Sequence, residues 1–303
     1  MSKTRFIETL SQWHLQHRLK EYEKYGARAS GIKFRNKIHS FLLTFVKLDR
    51  VLSKRELHIV NDKHYQCEKS ILFAVTHVGG FDIESAFEAI KSPAWLMLGD
   101  PKEIYFNSAG LLLWLNGVVC VETRNKSDRK ICKERCANIL KSRGNILMFP
   151  EGAWNISPNQ IVYHMYYGAV DMAMKTNSQI VPVGVIRDKN KYYVNIGENI
   201  NIADYGNNIK GLTYILRDKM STLQWETMDL LSILHHSEID SEYYNNWIKE
   251  IVNNQTATYS VEEVYETRFN PNYIIDYADA FEHLNYIKAN FNNAFLFNKR
   301  NHN

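Results

Sequence analysis

Between residues 71 and 196, short apolar runs alternate with stretches of helical periodicity, and this alternation constrains the fold more than any other feature of the chain. The runs are Ile71–Val75, Trp95–Leu98, Val118–Val121, Ile146–Phe149, Ile180–Ile186 and Tyr192–Ile196. Their lengths suit buried strands rather than helices. Helical patterns lie between them over Asp82–Ile90, Pro101–Leu115, Asp128–Arg143, where Gly144 supplies a stop, and Tyr166–Lys175. Leu57–Val75 reads as a strand pair. Strands alternating with helices predict an α/β fold with a mostly parallel sheet, helices on both faces, and functional residues at the carboxyl ends of the strands.

The first of these runs carries the chemistry. Ile71–Asp82 reads ILFAVTHVGGFD, a buried strand followed by His77, the pair Gly79-Gly80 and Asp82. Two glycines let the backbone turn sharply and let another molecule approach closely. His77 then sits at a strand end, and Asp82, in the first turn of the next helix, reaches back to one imidazole nitrogen. That contact fixes the tautomer and leaves the other nitrogen basic. No Ser or Cys stands at a nucleophile-elbow position nearby, so the attacking group is expected from a substrate whose proton His77 removes. A hydrogen-bonded histidine closing a strand is the plain alternative for the pair taken alone. A second stretch, Asn145–Asn155, reads NILMFPEGAWN and places Glu151 at the end of another strand, 74 residues after His77. His77, Glu122 or Arg124, and Glu151 all follow strands, so a parallel sheet gathers them along one edge.

With these blocks in this order, the chain resembles the glycerolipid acyltransferases, which acylate glycerol-3-phosphate and 1-acylglycerol-3-phosphate. His77-Val78-Gly79-Gly80-Phe81-Asp82 matches the family's H-x4-D block and Phe149-Pro150-Glu151-Gly152 its F-P-E-G block. Gly117–Arg124 looks like the block in which an apolar strand ends in an acid and an arginine, and Ile180–Val185 like the proline-bearing strand that follows. The resemblance covers roughly residues 70–186. It departs from the pattern in two places. Ala153-Trp154-Asn155 stand where the family has Thr-Arg-Ser, whose arginine helps bind the acceptor's phosphate. Thr123 separates Glu122 from Arg124, a shift that on a strand turns the arginine to the other face.

The resemblance implies an acyl group moved from an acyl-CoA or acyl carrier protein thioester to a hydroxyl of a lysophospholipid or glycerol phosphate, in phospholipid biosynthesis. His77 acts as general base and Asp82 orients it. Backbone N–H groups around Gly79-Gly80 or Gly152 face the developing oxyanion. Glu122 and Arg124 belong to the acceptor side, Glu151 shapes the acceptor site or holds its loop, with a plain capping or loop carboxylate as the alternative, and Trp154 offers a flat apolar surface there in place of a charge. Arg124, Lys126, Arg129 and Lys130 form either an anion site or a solvated basic face. The same chemistry on an unphosphorylated hydroxyl, an amine or a glycan remains an alternative, as does a non-catalytic membrane-binding scaffold, which the intact His77 and Asp82 argue against. No cofactor is expected beyond the thioester co-substrate, and no metal: His235-His236 are adjacent and face different ways on a helix, and Cys132 and Cys136 read as packing residues.

Charge is lopsided along the chain. Residues 1–60 hold 13 Lys or Arg against 5 Asp or Glu, a net of +8, while the whole chain is +4, so the remainder is −4. Phe6, Leu10, Trp13 and His17 recur at helical spacing, and Ile38–Leu48 is strongly apolar. Residues 1–55 are therefore read as basic amphipathic helices lying on an anionic membrane surface, or else as a helical hairpin packed on the domain with its lysines in solvent. Residues 56–206 are expected to be the catalytic core. Residues 207–303, with helical patterns over Ile209–His235 and Tyr243–Val252, form a helical extension that covers the site or completes the core. No apolar run is long enough to span a bilayer, and mean hydropathy is −0.37. There is no signal-peptide pattern, and the four cysteines form no disulfide framework. A cytoplasmic chain, peripheral on the inner face of the membrane, is expected. No motif and no uniformly basic surface points to nucleic acid.

Overall fold

A computed structural model describes residues 3–28, 30–99, 108–157, 160–231, 236–253, 260–269 and 290. Its centre is one seven-stranded sheet of β1 (Glu56–Asp62), β2 (Ile71–Val75), β3 (Trp95–Gly99), β4 (Val118–Val121), β5 (Ile146–Met148), β6 (Gln179–Asp188) and β7 (Lys191–Ile196), in the order β1-β7-β6-β2-β5-β3-β4. All neighbours run parallel except the β6–β7 hairpin. The expected α/β class is therefore the observed one.

Both faces of the sheet are covered, as runs without polar alternation require. Leu72, Ala74, Ile146 and Ile180 point into one layer, which they share with α5 (Lys126–Lys141), α6 (Gly168–Thr176) and α7 (Ile209–Met228). Phe73, Val75, Leu147 and Val181 point into the other, against α3 (Asp82–Ile90) and Leu43 of α2 (Ile32–Leu52). Central β2 is buried at all five positions.

Leu57–Val75 does contain two strands, but they do not pair with each other. β1 lies at the sheet edge beside β7, with β7 and β6 between it and β2. Burial explains the separation: β1 carries charged, exposed positions suited to an edge, whereas β2 is wholly apolar. Helix α5 begins at Lys126, two residues before Asp128, because Asn125 caps it by accepting from the Asp128 amide. Of the Pro101–Leu115 pattern, α4 (Ser108–Asn116) is described, and residues 101–107 lie outside the described residues. His235 and most of Tyr259–Asn303 also lie outside them.

The amino-terminal helices pack on the domain by one face and leave the other open. On α1 (Lys3–Tyr25), Arg18 is 5% exposed and binds both carboxylate oxygens of Asp128, at 3.3 and 2.7 Å. Asp128 also accepts the Glu122 amide at 2.6 Å, so one buried carboxylate ties α1, the end of β4 and the start of α5 together. On α2, Ile32, His39, Leu42 and Leu43 are buried, while Phe34, Phe41, Phe45 and Leu48 are exposed, as are Phe6 and Trp13 of α1. The aromatic spacing in the sequence thus marks an outward face. At the other end, α8 (Tyr243–Asn253) and α9 (Val261–Thr267) form a third apolar cluster with Ala153, Trp154 and Ile156, separate from both sheet layers.

Removing Arg18 leaves the Asp128 carboxylate buried without its counter-ion. Arg18→Ala is therefore expected to lower stability by about 3 kcal/mol in chemical denaturation, whereas Lys20→Ala on the same helix should fall within about 0.5 kcal/mol of the parent.

Candidate active site

The backbone leaving β2 is held before it turns. Thr76 Oγ1 accepts from the Val185 amide at 2.8 Å and from Gln224 Nε2 at 2.7 Å. Gly79 and Gly80 then take φ values of 75° and 69°, the left-handed region that glycine enters without strain. At Gly80 a Cβ would stand 2.3 Å from the Tyr192 hydroxyl, which itself accepts from the Phe81 amide at 3.0 Å. This braced turn brings the first turn of α3 beneath His77.

Asp82 Oδ2 accepts three hydrogen bonds there: from His77 Nδ1 at 2.8 Å, the Val78 amide at 2.9 Å and the Gly79 amide at 2.8 Å. A carboxylate at Nδ1 selects the Nδ1–H tautomer, so Nε2 carries the lone pair. The His77 ring is stacked on Phe149 at 4.0 Å between centroids, with Trp154 edge-on at 6.1 Å. Its side chain is 16% exposed against 2% for Asp82. Such a pair can take a proton at Nε2 and stabilise the imidazolium that results.

Glu151 has a structural place. It is fully buried, and its two oxygens accept from the His77 amide at 2.9 Å and the Tyr163 amide at 2.8 Å. Burial pushes its carboxyl up to about 7, against the pull of those two amides. The His77 carbonyl in turn accepts from the Asn155 amide at 2.7 Å. Glu151 therefore joins the two loops that follow β2 and β5 from behind.

In front of the pair lies a cavity of about 940 Å³. His77, Asp82, Gly80, Glu122, Arg124, Gly152 and Trp154 all border it, whereas Gly79 and Glu151 do not. Two of the three glycine amides expected near an oxyanion are already engaged. That of Gly79 serves Asp82, and that of Gly152 donates to the Phe149 carbonyl at 3.1 Å. Arg124 reaches the cavity from a turn, since β4 ends at Val121, so strand parity does not govern its direction. Its guanidinium pairs with Glu266 at 2.9 Å.

Arg129 and Lys130 border the cavity from α5, together with Lys133, which the sequence pattern had not singled out and which pairs with Asp171 at 2.7 Å. Lys126 is not among the bordering residues. Lys133 follows Lys130 by three positions and Arg129 by four, and that helical spacing beyond a capped helix start was the readable signal for it. Phe149, Tyr166 and the α9 residues Glu263, Val264 and Thr267 were also missed, and nothing local in the sequence marks the α9 residues. Among the described residues no three His, Cys, Asp or Glu side chains cluster as a metal would need, and no helix is long and apolar enough to cross a membrane. The thiols of Cys120, Cys132 and Cys136 are buried, and burial raises each of them, that of Cys120 to about 11.

Residues 56–186 match the family model described as Acyltransferase. The fold is similar to the crystal structure of the 1-acyl-sn-glycerophosphate acyltransferase PlsC from Thermotoga maritima, with a TM-score of 0.55 and 13% identity, over 74% of this chain and 98% of that one. No curated protein matches the chain.

Substituting Glu151 by Gln keeps the shape but turns an amide NH₂ toward one of two backbone donors. Glu151→Gln is expected to lose about 2 kcal/mol of stability and to weaken amide-exchange protection at His77 and Tyr163 together. Loss at only one of the two would show that the carboxylate does not bridge them.

Proposed function

We propose that this chain, whose residues 56–186 match the family model described as Acyltransferase, transfers a fatty acyl group from a thioester donor to a hydroxyl of a lysophospholipid or glycerol phosphate. The observation that carries this reading is the His77–Asp82 pair, with Nε2 of His77 available at the wall of a large cavity.

Nε2 takes the proton of the acceptor hydroxyl as its oxygen attacks the thioester carbonyl, and Asp82 stabilises the imidazolium formed. The tetrahedral intermediate collapses with cleavage of the C–S bond. The thiolate leaves with the proton held on His77, giving an ester and a free thiol. Glu151 and Phe149 hold the His77 backbone and ring for this step, so neither reacts. The donor is acyl-CoA or acyl carrier protein, and the chain needs no other cofactor.

The acceptor's phosphate is assigned to the α5 wall, where Arg129, Lys130 and Lys133 present cations to the cavity. A second reading is favoured by a specific pair of observations. Trp154 is buried at the position where the family carries a cation, and Arg124 is occupied by Glu266. Both suit an acceptor without a phosphomonoester. The exposed Phe34, Phe41, Phe45 and Leu48 of α2, in a segment of strong positive charge, would rest on an anionic membrane, placing the enzyme on its inner face.

Release of free CoA from a long-chain acyl-CoA, offered 1-acylglycerol-3-phosphate, neutral lysolipids, amino acids or buffer alone, separates these readings. Turnover is expected to need the phosphorylated lysolipid and to fall about a thousandfold in His77→Ala. Turnover confined to unphosphorylated or amine acceptors selects the second reading, and none with either CoA or carrier-protein donors removes the catalytic one. Phe41→Ser with Phe45→Ser is expected to weaken sedimentation with anionic vesicles about tenfold, and unchanged sedimentation would remove the membrane face.

A further inference from the structure

One wall of the cavity is built by residues beyond the family-matched segment. On α9, Glu263, Val264 and Thr267 stand one and then three positions apart, share a helix face and all border the cavity. The helix is held there from several directions. Val264, 5% exposed, packs with Ala153, Trp154 and Ile156 and with Ile248, Ile251 and Val252 of α8. Glu266 pairs with Arg124 at 2.9 Å, and the Tyr166 hydroxyl donates to the Thr267 carbonyl at 2.9 Å. The Tyr244 hydroxyl of α8 donates to the Ile156 carbonyl at 3.0 Å.

Gly152 is what permits the approach. A Cβ there would stand 2.4 Å from the Tyr166 ring and 3.5 Å from the Thr267 carbonyl oxygen. Each of these partners belongs to the turn after β4, the loop after β5 or the approach to α6, all of which frame the site. None belongs to the two sheet layers, which close without α8 and α9.

We propose that the α8–α9 pair, seated on Trp154, is the acceptor-side wall of the site and that the Glu263–Val264–Thr267 face determines which acceptor fits. The proposal rests on the acyl-transfer reading above. Nδ1 of His77 is taken by Asp82, so the acceptor hydroxyl meets Nε2. Trp154 stands edge-on to that ring at 6.1 Å and carries α9 on its other contacts, so a molecule at Nε2 has this wall as its neighbour. In this reading Trp154 is a positioning residue: it seats the helix that shapes the pocket.

The test uses the full chain, with palmitoyl-CoA as donor and 1-acylglycerol-3-phosphate or 1-acylglycerol as acceptor. Val264→Asp places a carboxylate in the apolar seat and displaces α9, while Lys20→Ala changes an exposed position of α1 that does not border the cavity. Val264→Asp is expected to raise the acceptor KM about tenfold while the donor KM stays within about twofold, and Lys20→Ala is expected to stay close to the parent in both. Equal shifts in both KM values, a shift in the donor KM alone, or no change in Val264→Asp would overturn the proposal.

If the parent turns over neither acceptor, the acyl-transfer reading fails, and hydrogen exchange then decides the wall by itself. Protection of the amides of residues 260–269 on adding either lysolipid keeps α8–α9 as a ligand wall, and no protection with either discards it.

Discussion

One carboxylate oxygen organises the site. Asp82 Oδ2 receives the His77 ring and the two amides that follow His77, so the acid that orients the imidazole also closes the turn carrying it. Three N–H donors on one buried oxygen leave it little freedom to move. The glycine pair is the backbone consequence of that demand. Two successive left-handed residues return the chain to α3 within five positions of His77, so that Asp82 lies beneath the histidine. Glu151 repeats the device from the other side, spending both oxygens on backbone amides.

A third carboxylate performs a comparable service at the end of edge strand β4. Asp128 is fully buried, donates its amide to the capping side chain of Asn125, accepts the Glu122 amide on its carboxylate and is paired with Arg18 from an otherwise remote helix. The basic amino-terminal segment is thus more than a surface charge. Two of its faces have different tasks, one buried against α5 and the loop after β4, and the other aromatic and open.

The sequence disclosed what local pattern can disclose. Strand positions, the parallel class, and the partnership of His77 with Asp82 follow from periodicity and from five-residue spacing across a glycine turn. Pairing between distant segments did not follow: β1 and β2 are neighbours in the chain, yet two strands separate them, because edge and centre are distinguished by what packs against them. Arg124 follows β4 on a turn, so the strand-parity argument does not apply to it, and of the two roles open to Glu151 its backbone hydrogen bonds match the holding of the loop. Ala153 and Trp154 looked like a lost cation. Their burial under α8 and α9 supplies a physical reason for the exchange, which no reading confined to the motif contains.

The brace at Gly80 has a consequence for the order of events during synthesis. The turn bearing His77 leans on Tyr192, and β2 lies between β5 and β6, the latter of which precedes Tyr192 by only a few residues. β1 and β2 therefore leave the ribosome more than a hundred residues ahead of β7 and β6, while β5, the other neighbour of β2, follows sooner. Such late closure makes assembly slow and leaves apolar β2 without one of its neighbours in the interval. The brace on the histidine turn and the partner for β1 both arrive with β7, the last strand of the sheet to be made.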